Sequence, residues 1–521
     1  MRVSIGSDTL VAKMGGRTLK PILMGLLLVL LFSVLLVIVR TRYLPPAPPA
    51  PTEPAPTAPR ERLGLHVTKS ELAMWRERAQ VGPYKSPGDV SENSPGDWAR
   101  ITEHSNAFMA NPAAPLWAGP VANNSGGCVA RNEDSSVQDM EQTPPVSGPS
   151  ELRDAAFLAM VETSHAHARR VHEAIVAQED VAGTDFSDRS RFCLGNIGGD
   201  ENPVFNISNF VSKYIVAYDY LLIYERQSGV SLFTPTQRTA LEDWFGAYGV
   251  WVQAAIDGKL NELFVNRRGN DYRLTDVATN ARSSPLYKDG PVAHTLALRY
   301  NNRVAASTRT LAQVGVFTDN ASFKRSATSF VKEWLKFSYF PQGAPAEFGA
   351  KSDPGRPSQG WKYGCELAGS LVTIADVLAR GGDTGVYEFT TTEGALGSQG
   401  AHHLGGPKSL ETYITDLYRY MNHDYVRHVV GKASVDNAII DSTDPLWGKN
   451  WINDVMMVHG NVYWRQDYIR RSYMRTQQGA PPYPADPSQS QGDPEGGDWG
   501  TYPGMLFMFG QPGNRVAPYP G

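Results

Sequence analysis

The sequence predicts an all-α fold, an (α/α) toroid or incomplete barrel of antiparallel helical hairpins, preceded by one transmembrane helix. Three observations predict it. From about residue 151 to 475, apolar residues recur at helical spacing in stretches joined by short polar connections. Alternating strand patterns are sparse before the last part of the chain. Residues 21–39 run without a charge. Many antiparallel helices on short loops build a solenoid or a closed ring. The lack of a fixed repeat period favours the ring, whose mouth would gather the connecting loops into a long cleft.

The N-terminal elements come first. At about 1.5 Å per residue, PILMGLLLVLLFSVLLVIV (21–39) reaches about 28 Å, close to one bilayer core. A cleavable signal peptide needs a shorter apolar run and a small-residue cleavage site, whereas Arg40 and Arg42 follow here. Arg2, Lys13, Arg17 and Lys20 precede the span, so the positive-inside rule puts residues 1–20 in the cytosol as a tail. The remainder then lies outside it, making a single-pass membrane protein with a periplasmic or extracellular domain. Residues 40–60 include LPPAPPAPTEPAPTAP, an extended polyproline II linker. Residues 61–521 form the domain. Outside the cytosol disulfides become possible. Cys128 and Cys193 would close a loop of about 65 residues, worth roughly 4 kcal/mol, and three buried free thiols remain the alternative.

Composition narrows the function classes. Hydrophobic residues at 41% and charged residues at 20% suit a chain that buries a core. With 49 Lys+Arg against 53 Asp+Glu, the net charge of −4 offers no basic footprint for nucleic acid. Three cysteines exclude a cysteine-rich metal module. Aromatics at 10% suit a sugar-binding cleft, although large cores use them too.

Within the domain, 151–178 has the apolar spacing of one helix and 209–225 is apolar almost all round, hence a buried helix. The segment 234–257 opens with Thr234 as N-cap and Pro235 in the first turn. Further helices are expected at 291–316, 320–337, 361–380 and 409–430, with Arg380-Gly381-Gly382 a stop signal. The segment 501–510 reads as a short strand or a packed tail.

Several chemistries find no motif. No phosphate-binding glycine loop, HExxH or GxSxG occurs in a fitting context. His165 and His167 point to different helix faces, which argues against a zinc site, so no metal and no cofactor are expected. Two segments stand out. In 296–335, Asn301-Asn302-Arg303 interrupts an apolar helical pattern; such groups resist burial unless something polar meets them, whether a ligand, a helix cap or a neighbouring helix. In 340–383, a Gly/Pro-rich loop carrying Glu347, Lys351 and Arg356 leads into Trp361-Lys362-Tyr363. Nearby cations would favour the Tyr363 phenolate.

This order of signals resembles the alginate lyases, the poly(β-D-mannuronate) lyase-like polysaccharide lyases. The resemblance runs through LHVTKSELAMWRERAQVGPYKSPGDVSENSPGDW (65–98), Cys128-Val129 and VAYDYLLIYERQSGVSLFTPTQRTALEDWFGAYG (216–249). The Asn301-Asn302 and Tyr363 segments and YPGMLFMFGQ (502–511) complete it. It implies β-elimination on an anionic uronic-acid polysaccharide, first alginate with mannuronate-type linkages; the chain is expected to be a monomer. It makes Asn302 the neutraliser of the C5 carboxylate, Tyr363 the acid and base, and Arg356 the assisting cation, a role Lys351 can take. The sequence departs from the family at Arg303, which stands where the family has His. An Arg cannot act as base at neutral pH but can neutralise a carboxylate bidentately. Both proton transfers would then fall to Tyr363, with His294 a spare base. Asn301, Lys351, Trp361, Lys362, Glu347 and His165 are the candidate substrate-binding residues, and the polar stretch 130–150 a candidate lid. The rival readings are a glycoside hydrolase on a helical toroid, using Glu347 and Glu366, and a non-catalytic uronate-binding protein.

Overall fold

The computed structural model describes residues 62–80, 97–120, 144–145, 148–192, 202–268, 300–339, 359–392 and 408–413, with Pro503 and Met508; at 97, 202, 259, 261–268, 337 and 359–366 it describes the backbone alone. The chain divides into two units, Met1–Arg60 and Glu61–Gly521, and all of these residues belong to the second. The expected tail, membrane span and linker (1–20, 21–39 and 40–60) lie outside the described residues. Among the described residues no helix is long and apolar enough to cross a membrane. Helix makes up 72% of what is described and strand very little, which places the domain in the all-α class.

The helices are α1 (Lys69–Arg78), α2 (Asp97–Ala110), α3 (Gly148–Glu162), α4 (His165–Glu179), α5 (Asn202–Ser228), α6 (Pro235–Arg268), α7 (Asn302–Phe317), α8 (Ala321–Phe337) and α9 (Gln359–Arg380). A small antiparallel pair follows, β1 (Thr390–Thr391) with β2 (Lys408–Ser409). Local chemistry sets many of the boundaries. Thr68 and Glu71 form a capping box on α1. Pro235 opens α6 as expected, with Gln237 N–H donating to Thr234 Oγ1 at 3.2 Å. Asn320 caps α8 by accepting from Ser322 and Phe323 N–H.

Two expectations are corrected. The stretch 151–178 is two helices, broken at Thr163, which takes φ 58° while Ser164 N–H returns to Ala159 O at 3.0 Å. That is a left-handed C-cap without glycine, so no stop signal announces it. The expected helix 291–316 is interrupted at Asn301, which is extended and acts as the N-cap of 302–317, and 291–299 lie outside the described residues. The expected helix 409–430 is helical from Leu410 to Tyr413, and the rest lies outside the described residues. Of 501–510, Met508 is buried, and its carbonyl accepts from Trp75 Nε1 at 2.8 Å, as a packed tail would.

The hairpins make two layers. Helices α3, α5, α7 and α9 pack side by side in that order, and α2, α4, α6 and α8 pack against them. Cross-contacts fix the directions. Asn209, Ser212 and Tyr218 of α5 meet Arg309, Gln313 and Phe317 of α7 in rising order, so these two helices are parallel. Val316 of α7 lies beside Gly381, just past the end of α9, and His66 touches both Gln313 and Asp376. Helices α7 and α9 are therefore parallel too. The second layer runs the other way: Tyr248 of α6 bonds Ser208 of α5, whereas Phe245 packs on Tyr218. Close approach between layers depends on two glycines. A Cβ at Gly249 of α6 would sit 2.4 Å from the Phe323 ring of α8, and one at Gly315 of α7 2.9 Å from Phe323 Cβ. Phe323 fills that notch.

The aromatic content goes into this core. Trp75, Trp251, Trp334, Tyr214, Tyr218, Tyr220, Tyr248, Tyr300 and Tyr339 are all fully buried. Phe186 alone meets Phe192, Trp244, Tyr248 and Trp251 at 4.6–5.7 Å between ring centroids. Among the described residues, aromatics pack rather than line a groove.

Candidate functional site

Parallel helices put their starts at one end. Gln313 lies about 16 Å along α7 from Asn302, and Asp376 about 20 Å along α9 from Tyr363, at the rise of about 1.5 Å per residue. His66 holds Gln313 and Asp376 at one level. The backbones of Asn302 and Tyr363 therefore lie at the same end of neighbouring helices, offset by less than one helical turn of about 5.4 Å. Helix α5 starts at that level as well, since Asn209 bonds Arg309 and each lies seven positions into its helix. Thr163-Ser164, 229–234 and 318–320 turn the chain at the other end. Three helix N-termini point their positive dipole ends the same way, which favours an anion there.

The first turn of α7 is the described part of the site. Asn301 Oδ1 accepts from Arg303 N at 3.0 Å and Val304 N at 3.1 Å. The helix-cap role that the sequence left open is what this oxygen performs, and Asn301 acts on the site by fixing the turn that carries Asn302 and Arg303. Asn302 is buried, with 4% exposure, and Arg303 is half-buried. Just before them Tyr300, fully buried on Phe330, donates its hydroxyl to Glu333 Oε2 of α8 at 3.0 Å. Burial raises Glu333, against the hydrogen bond from Tyr300 and the charge of Lys336. This pair anchors the turn to the second layer. Nothing in the sequence pattern marked it, because its members come from different helices.

The other candidates divide. Trp361, Lys362 and Tyr363 lie in the first turns of α9, with only their backbones described; Glu366 is likewise helical. Glu347, Lys351, Arg356, His294, Cys128, Cys193 and residues 130–143 of the candidate lid lie outside the described residues, whereas Gly148, Pro149 and Ser150, expected at the end of that lid, are buried in the first turn of α3. His165 is brought elsewhere. It opens α4, exposed, with Nδ1 3.2 Å from Tyr224 Oη near the end of α5. Measured along α7 and α5 through the Arg309–Asn209 contact, that is about 30 Å from Asn302 at the helical rise. His165 therefore does not share a cleft with Asn302, because the α3–α4 turn is at the opposite end. Among the described residues no group of three His, Cys, Asp or Glu gathers as a metal site.

The fold class and site geometry define an all-α array of parallel-layered helical hairpins with a polar helix start at one end. No protein-family model matches the chain, and no curated protein matches it in sequence.

Proposed function

We propose that the chain is a polysaccharide lyase cleaving a uronic-acid polymer, alginate with mannuronate-type linkages first, by β-elimination. The hairpins would close into an (α/α) toroid or incomplete barrel, with the substrate across the end where α5, α7 and α9 begin. The observation that supports this is the parallel pairing of α7 and α9, which brings the backbone positions of Asn302 and Tyr363 to one end. Asn302 and Arg303 neutralise the carboxylate on C5, which acidifies the neighbouring proton. Tyr363 as phenolate takes that proton, and the C5–H electrons form the C4–C5 double bond. The same proton then passes from Tyr363 to the glycosidic oxygen as its bond to C4 breaks. Arg356 or Lys351 favours the phenolate, and Trp361, Lys362 and Glu347 serve as subsites. Residues 21–39 would anchor the chain, holding the domain in the periplasm or outside the cell.

The test is incubation of the full chain with poly-mannuronate, poly-guluronate, hyaluronan and glucuronan, following ultraviolet absorbance of the unsaturated sugar. The expected result is rising absorbance on one polymer, lost at least a hundredfold in Tyr363→Phe with the fold intact, in line with removal of a positioned acid and base worth about 10²–10⁴. Oligosaccharide release without absorbance would replace the reading by a hydrolase. Binding without product would make the protein a uronate-binding module.

A further inference from the structure

The leading segment 62–68 crosses the far end of the first layer and joins its helices through one buried chain of polar contacts. Ser212 Oγ of α5 donates to Gln313 Oε1 of α7 at 2.8 Å, and Gln313 Nε2 donates to His66 Nε2 at 3.2 Å. With Nε2 accepting, the proton of a neutral imidazole sits on Nδ1, which faces Asp376 Oδ2 of α9 at 3.8 Å. Arg380 Nε donates to that same oxygen at 2.8 Å, and its other nitrogens grip Glu71 of α1 at 2.7 and 2.8 Å. Leu65 N–H donates to Asp219 Oδ2 of α5 at 2.8 Å. His66 is fully buried and reaches no solvent. Burial keeps it neutral by lowering its pKa, against the pull of Asp376 and alongside the repulsion of Arg380 and Arg62.

Apolar contact between α7 and α9 is non-directional, so the buried apolar side chains of the two helices do not by themselves forbid a slip along the helix axes. Packed helices shift past one another by fractions of a turn or by whole turns. A buried polar bridge, hydrogen-bonded to Gln313 at 3.2 Å and facing the Asp376 carboxylate at 3.8 Å, opposes it. We propose that His66 is a positioning residue: by bridging Gln313 and Asp376 it sets the axial register of the two helices whose opposite ends carry Asn302 and Tyr363. The inference rests on the lyase reading for its effect on catalysis, but not for its effect on register.

The experiment compares the full chain with His66→Leu, His66→Gln and Gln313→Met. Glutamine retains one acceptor for Gln313 and one donor for Asp376, leucine neither, and Gln313→Met cuts the bridge on the α7 side alone. In His66→Leu, kcat is expected to fall about tenfold to a hundredfold with KM unchanged within about twofold, as for a remote misplacement near 1 Å. Amide exchange at 302–306 and 361–365 is expected to quicken about tenfold or more, and His66→Gln to restore both readouts. Faster exchange confined to 311–317 and 371–380, with kcat unchanged per folded molecule, would overturn the proposal and leave a local structural role. If His66→Leu does not fold, Gln313→Met decides by the same two readouts. A wild type inactive on every polymer defeats the lyase reading, while exchange still decides the register.

Discussion

The two ends of the helical array are built on different principles. Where α3, α5, α7 and α9 finish, the described connections are short and each helix is followed by a left-handed residue: Thr163, Gly229, Asp319 and Gly382 at φ 58°, 73°, 53° and 95°. Three of these ends return an N–H to a carbonyl five residues back, from Ser164, Asn320 and Asp383. Ion pairs there are nearly closed to water, with Arg380, Glu71 and Asp376 side chains 8%, 10% and 7% exposed. Where α5, α7 and α9 begin, Asn301 spends its oxygen on the cap while Asn302 and Arg303 follow on the first turn. One end holds charges that satisfy one another. The other gathers a polar helix start, Asn301 to Arg303, at helix N-termini whose dipoles favour negative charge. A stable frame thus sits some 16–20 Å from the turns proposed for chemistry, at the helical rise of about 1.5 Å per residue.

The sharpest way to break the contrast is at the closed end. Arg380→Met leaves Asp376 and Glu71 buried without their shared guanidinium, and a loss of about 3–5 kcal/mol is expected in urea unfolding.

Next comes pH. Burial pushes Asp219 up to about 6, against the Leu65 N–H bond and the charges of Arg226 and Arg62. Its unfolded value is about 3.9, so its contribution is fully present below pH ~4 and is lost as pH rises through ~6, about 3 kcal/mol in all. Asp376 has the opposite sign: burial opposes ionisation, but Arg380 and His66 outweigh it and bring the carboxyl to about 2. Its contribution is present above pH ~4 and lost as pH falls toward ~2. His66, lowered by burial, adds a loss as pH falls through its unfolded value near 6.5. The measurement is therefore the difference between wild type and Asp219→Asn, which retains an acceptor for Leu65. Wild type is expected to lose stability relative to the variant between pH 4 and pH 7, at about these bounds. A constant difference would sink the assignment.

At the open end the effects on stability are smaller. Asn301→Ala removes both accepted N–H bonds and is expected to cost about 1 kcal/mol, while Asn301→Asp, still a good cap, leaves thermal stability nearly unchanged. Smallest is Thr163→Gly at the closed end. It relieves a β-branched residue held at φ 58° and is expected to add about 0.5–1 kcal/mol, read as a rise in melting temperature.

These two ends were not equally legible in the sequence. The helices 320–337 and 361–380 were readable to within two residues, because Asn320 and the Arg380-Gly381-Gly382 run are local signals. The break at Thr163 was not, since a threonine in the left-handed region depends on the surrounding packing rather than on its own preference. Helices α1 and α2 were absent from the expected elements although α1 carries a capping box. Of the site, Asn301 to Arg303 and Tyr363 were visible as polar groups out of pattern, but His165 was assigned to the same cleft and lies at the far end.

The sequence alone determined the class: apolar periodicity and end signals act within a few residues, so they specify helices without knowing what those helices will meet. Only the tertiary structure decided that α5, α7 and α9 run parallel, that His66 lies between Gln313 and Asp376, and that Tyr300 reaches Glu333. These contacts pair residues far apart in the chain. No local preference encodes them, because their energies appear only once burial removes water and leaves each polar group to find its partner.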